Sequence, residues 1–135
     1  MRTLIVDDEP GWKDRLERIV KKQLVGWEIV TAEDAQAALK LIESPQAKVE
    51  IIVCDGLNGD YQLVAQASER AGLSFMLVSS NDDFVKDAQS RNWPTIHKNH
   101  YDDGGQFIEA LKKVQQLRQS KEGQPISLGD SAKER

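Results

Sequence analysis

Cysteine is almost absent from this chain, and so are long apolar runs. Of 135 residues only Cys54 carries a thiol. No internal disulfide framework is therefore available, and a reducing, cytoplasmic setting is the expectation. Apolar runs such as Ile51-Ile52-Val53-Cys54 fall far short of the roughly 20 residues that cross a bilayer, so no membrane span is expected. The N-terminal segment Arg2-Thr3-Leu4-Ile5-Val6 lacks the apolar core and small-residue cleavage site of a signal peptide. Basic excess is missing as well. The formal net charge is -4, which argues against direct nucleic-acid binding through a basic face. No G-x-G-x-x-G or Walker-type loop is present to cradle a nucleotide.

What is present is an alternation of short apolar runs with helix-period segments. Leu4-Ile5-Val6 reads as a buried strand. Pro10 then opens a helix carrying Trp12, Leu16, Ile19, Val20 and Leu24 on one face. Trp27 to Thr31 forms a second strand. A helix with Ala35, Ala38, Leu39 and Ile42 follows, entered through Glu33-Asp34. Val49 to Cys54 is the third strand, and Tyr61, Val64, Ala67 and Ala71 outline a third helix. Phe75 to Val78, a short helix around Phe84-Val85-Ala88, and Thr95-Ile96-His97 come next. Phe107, Ala110, Leu111, Val114 and Leu117 define the last helix. The alternation predicts an α/β, doubly wound parallel sheet with helices on both faces, and the expected form is the flavodoxin-like five-stranded sheet of order 2-1-3-4-5. Residues 1–118 form the domain. From 119 the periodicity stops, and 119–135 is expected to be a flexible C-terminal tail.

In such a fold the chemistry sits just past the carboxyl ends of the strands. Asp7-Asp8-Glu9 follows the first strand, Asp55 the third, Ser79-Ser80 the fourth and Lys98 the fifth. The first and third strands are neighbours in this order, so Asp7, Asp8 and Asp55 converge. Close carboxylates repel unless protonated, paired or metal-bound. A hard cation such as Mg²⁺ (or Mn²⁺) suits that all-oxygen cluster. The pocket also suits phosphoryl transfer: a carboxylate nucleophile, a cation and Lys98 to offset phosphoryl charge, and the Ser79 hydroxyl to bond a phosphoryl oxygen.

The set Leu4-Ile5-Val6-Asp7-Asp8-Glu9-Pro10, Ile51-Ile52-Val53-Cys54-Asp55, Leu77-Val78-Ser79-Ser80 and Ile96-His97-Lys98, in this order and spacing, resembles the receiver domain of two-component response regulators over residues 2–118. The resemblance implies that Asp55 is the phosphoacceptor and that Asp7 and Asp8 position Mg²⁺, with the backbone carbonyl of Leu57 as a further ligand. It also implies that Ser79 and Lys98 contact the phosphoryl group, and that Phe84, Trp93 and Thr95 lie on a switch or output face. The implied partners are a histidine kinase or histidine phosphotransfer protein upstream and an unidentified protein downstream. The chain itself would be a monomer or weak dimer, a phosphoacceptor rather than an enzyme. Three features depart from the family pattern. The loop Gly56-Leu57-Asn58-Gly59-Asp60 is short and lacks proline. Asn99 replaces the proline after the lysine, so a trans bond is expected there. Thr95 stands where an aromatic is usual. They motivate an alternative, a degenerate receiver acting as a phosphorylation-independent interaction module. A phosphatase of the haloacid-dehalogenase type is disfavoured, since its second acid, two residues past the nucleophile, is here Leu57. His97 and His100 lack metal-ligand spacing and are read as surface or loop residues. Cys54 is read as inert packing and Trp12 as packing beside the acidic pocket.

Overall fold

A computed structural model of the chain describes residues 1–98 and 105–123, with side chains to residue 118. Strands β1 (Arg2–Val6), β2 (Glu28–Ala32), β3 (Ile51–Cys54), β4 (Ser74–Ser79) and β5 (Thr95–His97) alternate with helices α1 (Pro10–Gln23), α2 (Ala35–Glu43), α3 (Tyr61–Arg70), α4 (Asp82–Ser90) and α5 (Gly105–Gly123). The sheet is parallel with order β2-β1-β3-β4-β5, as expected of the flavodoxin-like class.

The period-two geometry of each strand divides the core between the two faces. Leu4, Val6, Ile52, Cys54, Phe75 and Leu77 point to one side, where they meet Ala35, Ala38 and Ile42 of α2, Tyr61 and Val64 of α3, and Ala88 of α4. Ile5, Ile51, Val53, Met76, Val78 and Ile96 point to the other, against Leu16 and Val20 of α1 and Phe107, Leu111 and Val114 of α5. A strand buried on both faces has no polar side to alternate with, which is why these runs read as continuously apolar.

Local signals set most helix ends. Pro10 opens α1 at its first turn, where its missing N–H costs nothing. The Asp34 side chain accepts from the Ala37 N–H at 2.8 Å and caps α2. Asp34→Ala is expected to lower stability by about 1 kcal/mol, read from the midpoint of urea unfolding.

The structure corrects several sequence expectations. Strand β2 begins at Glu28 rather than Trp27, because the Trp27 N–H closes the preceding turn on the Leu24 carbonyl at 3.2 Å. Strand β3 begins at Ile51 rather than Val49. Leu117, grouped with the apolar face of the last helix, is 60% exposed. Helix α5 runs on to Gly123, past residue 118, where the apolar periodicity ends. Gln119, Lys121 and Glu122 are good helix formers, so propensity continues the helix where packing no longer requires it. The expected tail beyond Gly123 lies outside the described residues, as do His100 and the Lys98–Asn99 bond.

Candidate functional site

The site is assembled by strand register. Val6 of β1 faces Cys54 of β3, so the next residue on each, Asp7 and Asp55, emerges at the same end of the sheet. The Asp55 N–H donates to the Val6 carbonyl at 2.8 Å and holds that alignment. One carboxylate oxygen from each of Asp7, Asp8 and Asp55 lies within 4.8 Å of the others. Asp7 is buried, Asp55 half-buried and Asp8 exposed.

Lys98, buried although charged, reaches this cluster from the end of β5. Its ammonium donates to Asp55 Oδ1 at 2.8 Å, to Glu9 Oε1 at 3.1 Å and to Asp7 Oδ2 at 3.5 Å. The Trp12 ring of α1 lies under the same nitrogen, 4.9 Å from it to the ring centroid, within cation–π range. Trp12 is therefore more than packing near the pocket. Glu9 was not among the expected site residues. Its place beside Asp7-Asp8 and at the end of a buried strand is the only local signal that hinted at it.

One ammonium faces four carboxylates. Burial pushes the Asp7 carboxyl up to about 6; the Glu9 N–H bonded at 2.8 Å opposes this, and the charge of Asp55 adds to it. Asp8 is also raised, by desolvation and then by the Asp55 charge. Burial disfavours the Lys98 ammonium, but its bond to Asp55 and the charges of Asp55 and Asp7 outweigh that and raise it. Excess negative charge on oxygen donors alone is the chemistry that a hard divalent cation satisfies.

Around Asp55 the chain is tightly turned. Leu57 and Asn58 both adopt left-handed backbone, with φ +51° and +54°, a conformation that costs about 1–2 kcal/mol for a residue with a Cβ. The Leu57 N–H approaches Asp55 Oδ2 at 3.4 Å. The Leu57 carbonyl accepts from the Asp60 N–H at 3.0 Å, so one of its lone pairs is already used inside the turn. Ser79 ends β4 with its hydroxyl oxygen accepting from the Asn81 N–H at 3.1 Å. Cys54 is fully buried and its thiol is pushed well up, first by burial and then by Asp55. His97 is the last residue of β5 and largely buried, its Nε2 2.7 Å from Asp82 Oδ1, rather than a free surface histidine.

Phe84, Trp93 and Thr95 are each half-buried. Phe84 and Trp93 join one aromatic group with Tyr61 and Phe75. Thr95 is not part of it. Its hydroxyl is buried with no hydrogen-bond partner among the described residues. Tyr61, unexpected from the sequence beyond its helical spacing, is buried and donates to Asp87 Oδ2 at 2.5 Å.

Known proteins share this arrangement at the level of the fold. No protein-family model matches the chain. The positive alginate biosynthesis regulatory protein of Pseudomonas aeruginosa is 37% identical over 95 residues, a match that takes 65% of this chain and 37% of that protein. The chain thus spans well under half of that relative. A signal receiver domain of an HD-domain protein from Pseudomonas fluorescens superposes with a TM-score of 0.74 at 20% identity, covering 88% of this chain and 97% of that one. The response regulator TrrA of Thermotoga maritima, crystallised with Mg²⁺-BeF, gives 0.67 at 23% identity, covering 84% and 97%. The crystal structure of the P1 domain of CheA3 in complex with CheY6 from R. sphaeroides also matches, at 0.67 and 19% identity, covering 85% and 96%. The chain has the fold of response-regulator receiver domains. No described helix is long and apolar enough to cross a membrane.

Proposed function

We propose that the chain works as a receiver, accepting a phosphoryl group on Asp55 from a phosphohistidine of a kinase or phosphotransfer protein and changing its protein contacts in response. The observation that carries this reading is the convergence of Asp7, Asp8 and Asp55 at neighbouring strand ends with Lys98 held on Asp55 at 2.8 Å. The solved complex of a P1 domain with CheY6 supports the class of donor, and the Mg²⁺-BeF complex of TrrA supports the cofactor. The output would be a protein–protein contact.

In the reaction a carboxylate oxygen of Asp55 attacks phosphorus. An O–P bond forms as the P–N bond of the donor breaks, and the imidazole leaves with the electron pair. Asp7, Asp8 and Asp55 would hold Mg²⁺, which when bound would supply positive charge beside the phosphoryl oxygens. Lys98 would follow the charge from the Asp55 carboxylate to a phosphoryl oxygen, guided by Trp12 and Glu9. The Ser79 hydroxyl would donate to another. The Leu57 carbonyl, with a lone pair still free, would complete the metal's oxygen donors.

The test is intact-mass measurement after incubation with acetyl phosphate and Mg²⁺. The wild type is expected to gain one phosphoryl group, and Asp55→Ala or omission of the metal to prevent it. An unmodified wild type beside a reacting receiver control would overturn the proposal. A second reading, a degenerate receiver that binds partners without phosphorylation, is favoured by the left-handed Leu57-Asn58 turn and the engaged Leu57 carbonyl. It expects a partner to bind wild type and Asp55→Ala equally, with or without Mg²⁺.

A further inference from the structure

The first residue after Asp55 has an unusual neighbour. A Cβ built on Gly56 would stand 2.6 Å from Cδ2 and 3.0 Å from Cε2 of Phe84, and 3.2 Å from Ser79 Oγ. Phe84 therefore lies on the bare backbone beside the phosphoacceptor, in space that any other residue at position 56 would occupy. It shares that space with the Ser79 hydroxyl. Backbone bonds link the same groups. The Asn81 N–H donates to Ser79 Oγ at 3.1 Å, while Asn81 Oδ1 accepts from the Asp83 and Phe84 N–H groups at 2.9 and 3.1 Å and caps α4. The hydroxyl of Ser79 and the first turn of α4 are thus tied through Asn81, and the Phe84 ring and the Ser79 hydroxyl both border the bare Gly56 backbone.

From Phe84 the contacts run outward through rings. Phe84 and Tyr61 centroids are 5.1 Å apart, Tyr61 and Trp93 6.4 Å, and Trp93 and Phe75 5.5 Å. The Tyr61 hydroxyl bonds Asp87 of α4, which also holds Arg91, and the Arg91 guanidinium lies 5.2 Å from the Trp93 ring centroid. The chain of contacts therefore ends at the outer surface of α4 and the α4–β5 turn. In β5, by contrast, Thr95 has no aromatic ring, and its hydroxyl makes no hydrogen bond among the described residues.

We propose that Phe84 is a positioning residue that reads Ser79 and the Gly56 backbone and relays their rearrangement through Tyr61 to Trp93, so that the α4 surface rather than β5 carries the response. This rests on the receiver reading above. A Ser79 Oγ that swings toward a group on Asp55 withdraws from the N–H of Asn81, whose side chain caps the Phe84 N–H, and from the edge of the Gly56 backbone on which the Phe84 ring lies. A close-packed ring that loses one wall shifts as a unit with its neighbours, because packed aromatic groups have few intermediate arrangements.

The experiment uses the full chain labelled with fluorotryptophan and followed by fluorine NMR. Trp93 is assigned by the signal lost in Trp93→Phe. Addition of beryllofluoride and Mg²⁺ reports occupancy through the bound fluoride resonances and the response through Trp93. The wild type is expected to show both. Phe84→Leu is expected to bind beryllofluoride at saturation yet lose most of the Trp93 shift. Gly56→Ala displaces the ring from the other side and is expected to move the Trp93 resonance before any ligand is added. A full Trp93 shift in Phe84→Leu, or an unmoved resting resonance in Gly56→Ala, overturns the relay while leaving the receiver reading intact. Absence of bound beryllofluoride in the wild type overturns the receiver reading, and the relay with it.

Discussion

Lys98→Ala is expected to slow acyl-phosphate formation on Asp55 by about 100-fold at saturating Mg²⁺, the usual scale for loss of one preorganised charge at a reacting centre. Lys98 is the one ammonium that reaches the pocket among the described residues, and its nitrogen touches Asp55 Oδ1, Glu9 Oε1 and Asp7 Oδ2. In the proposed reaction its removal would take away the charge that meets the phosphoryl oxygens and increase the repulsion among the remaining carboxylates. Lys98→Arg keeps the charge but puts a larger planar head group where a buried, compact ammonium meets three carboxylates, so its charge cannot occupy the same point. That variant should therefore recover only part of the rate. The measurement is the time course of intact mass at fixed phosphodonor. A rate near that of the wild type in Lys98→Ala would remove the lysine from the chemistry.

Asp7→Asn is expected to raise the stability of the metal-free protein at neutral pH and to abolish most of its response to Mg²⁺. The Asp7 carboxyl is raised from 3.8 to about 6, with burial the largest cause. A raised carboxyl binds its proton more tightly folded than unfolded, so its charged form opposes folding. The penalty is present above about pH 6. Stability from this group grows as pH falls through that value and levels off below 3.8. A shift of this size corresponds to at most about 3 kcal/mol. The attraction of Lys98 at 3.5 Å is already contained in that net shift, and screening by the solvent that reaches the pocket leaves a gain of about 1–2 kcal/mol, or about 5 °C in Tm. The advantage of the variant should shrink as pH falls and vanish near pH 3.8, the unperturbed value. Saturating Mg²⁺ should reverse the order, because only the wild type gains binding energy on folding. A wild type more stable than Asp7→Asn without metal at neutral pH would contradict the charge account of the pocket.

These effects depend on features of two kinds. The carboxylates were legible in the sequence because each follows directly on a short apolar strand, and parallel strands put their carboxyl ends on one side. The place of Lys98 at the end of β5 was legible for the same reason. Its cage was not. The bonds from Lys98 to Asp55 and Glu9 join residues 43 and 89 positions apart, and no local pattern reports such a pairing. Trp12 looked like an ordinary core position at helical spacing, and only the placement of α1 beside the end of β5 sets its ring on the ammonium. Gly56 read as a loop glycine until Phe84 was found against its backbone.

By itself the sequence determined the alternation of strands and helices, the strand order, the two apolar faces and the strand-end acids. The elements and their apolar faces follow from periodicity and local turn chemistry, which act over a few residues, while the strand order follows from the fold class that the alternation and the resemblance indicate. The tertiary structure decided which face of α5 is left exposed at Leu117, how the turn after Asp55 uses the Leu57 carbonyl, and which ring lies on the backbone beside Asp55. Those outcomes are set by close packing between segments distant in the chain, where one missing Cβ or one displaced ring changes the contact.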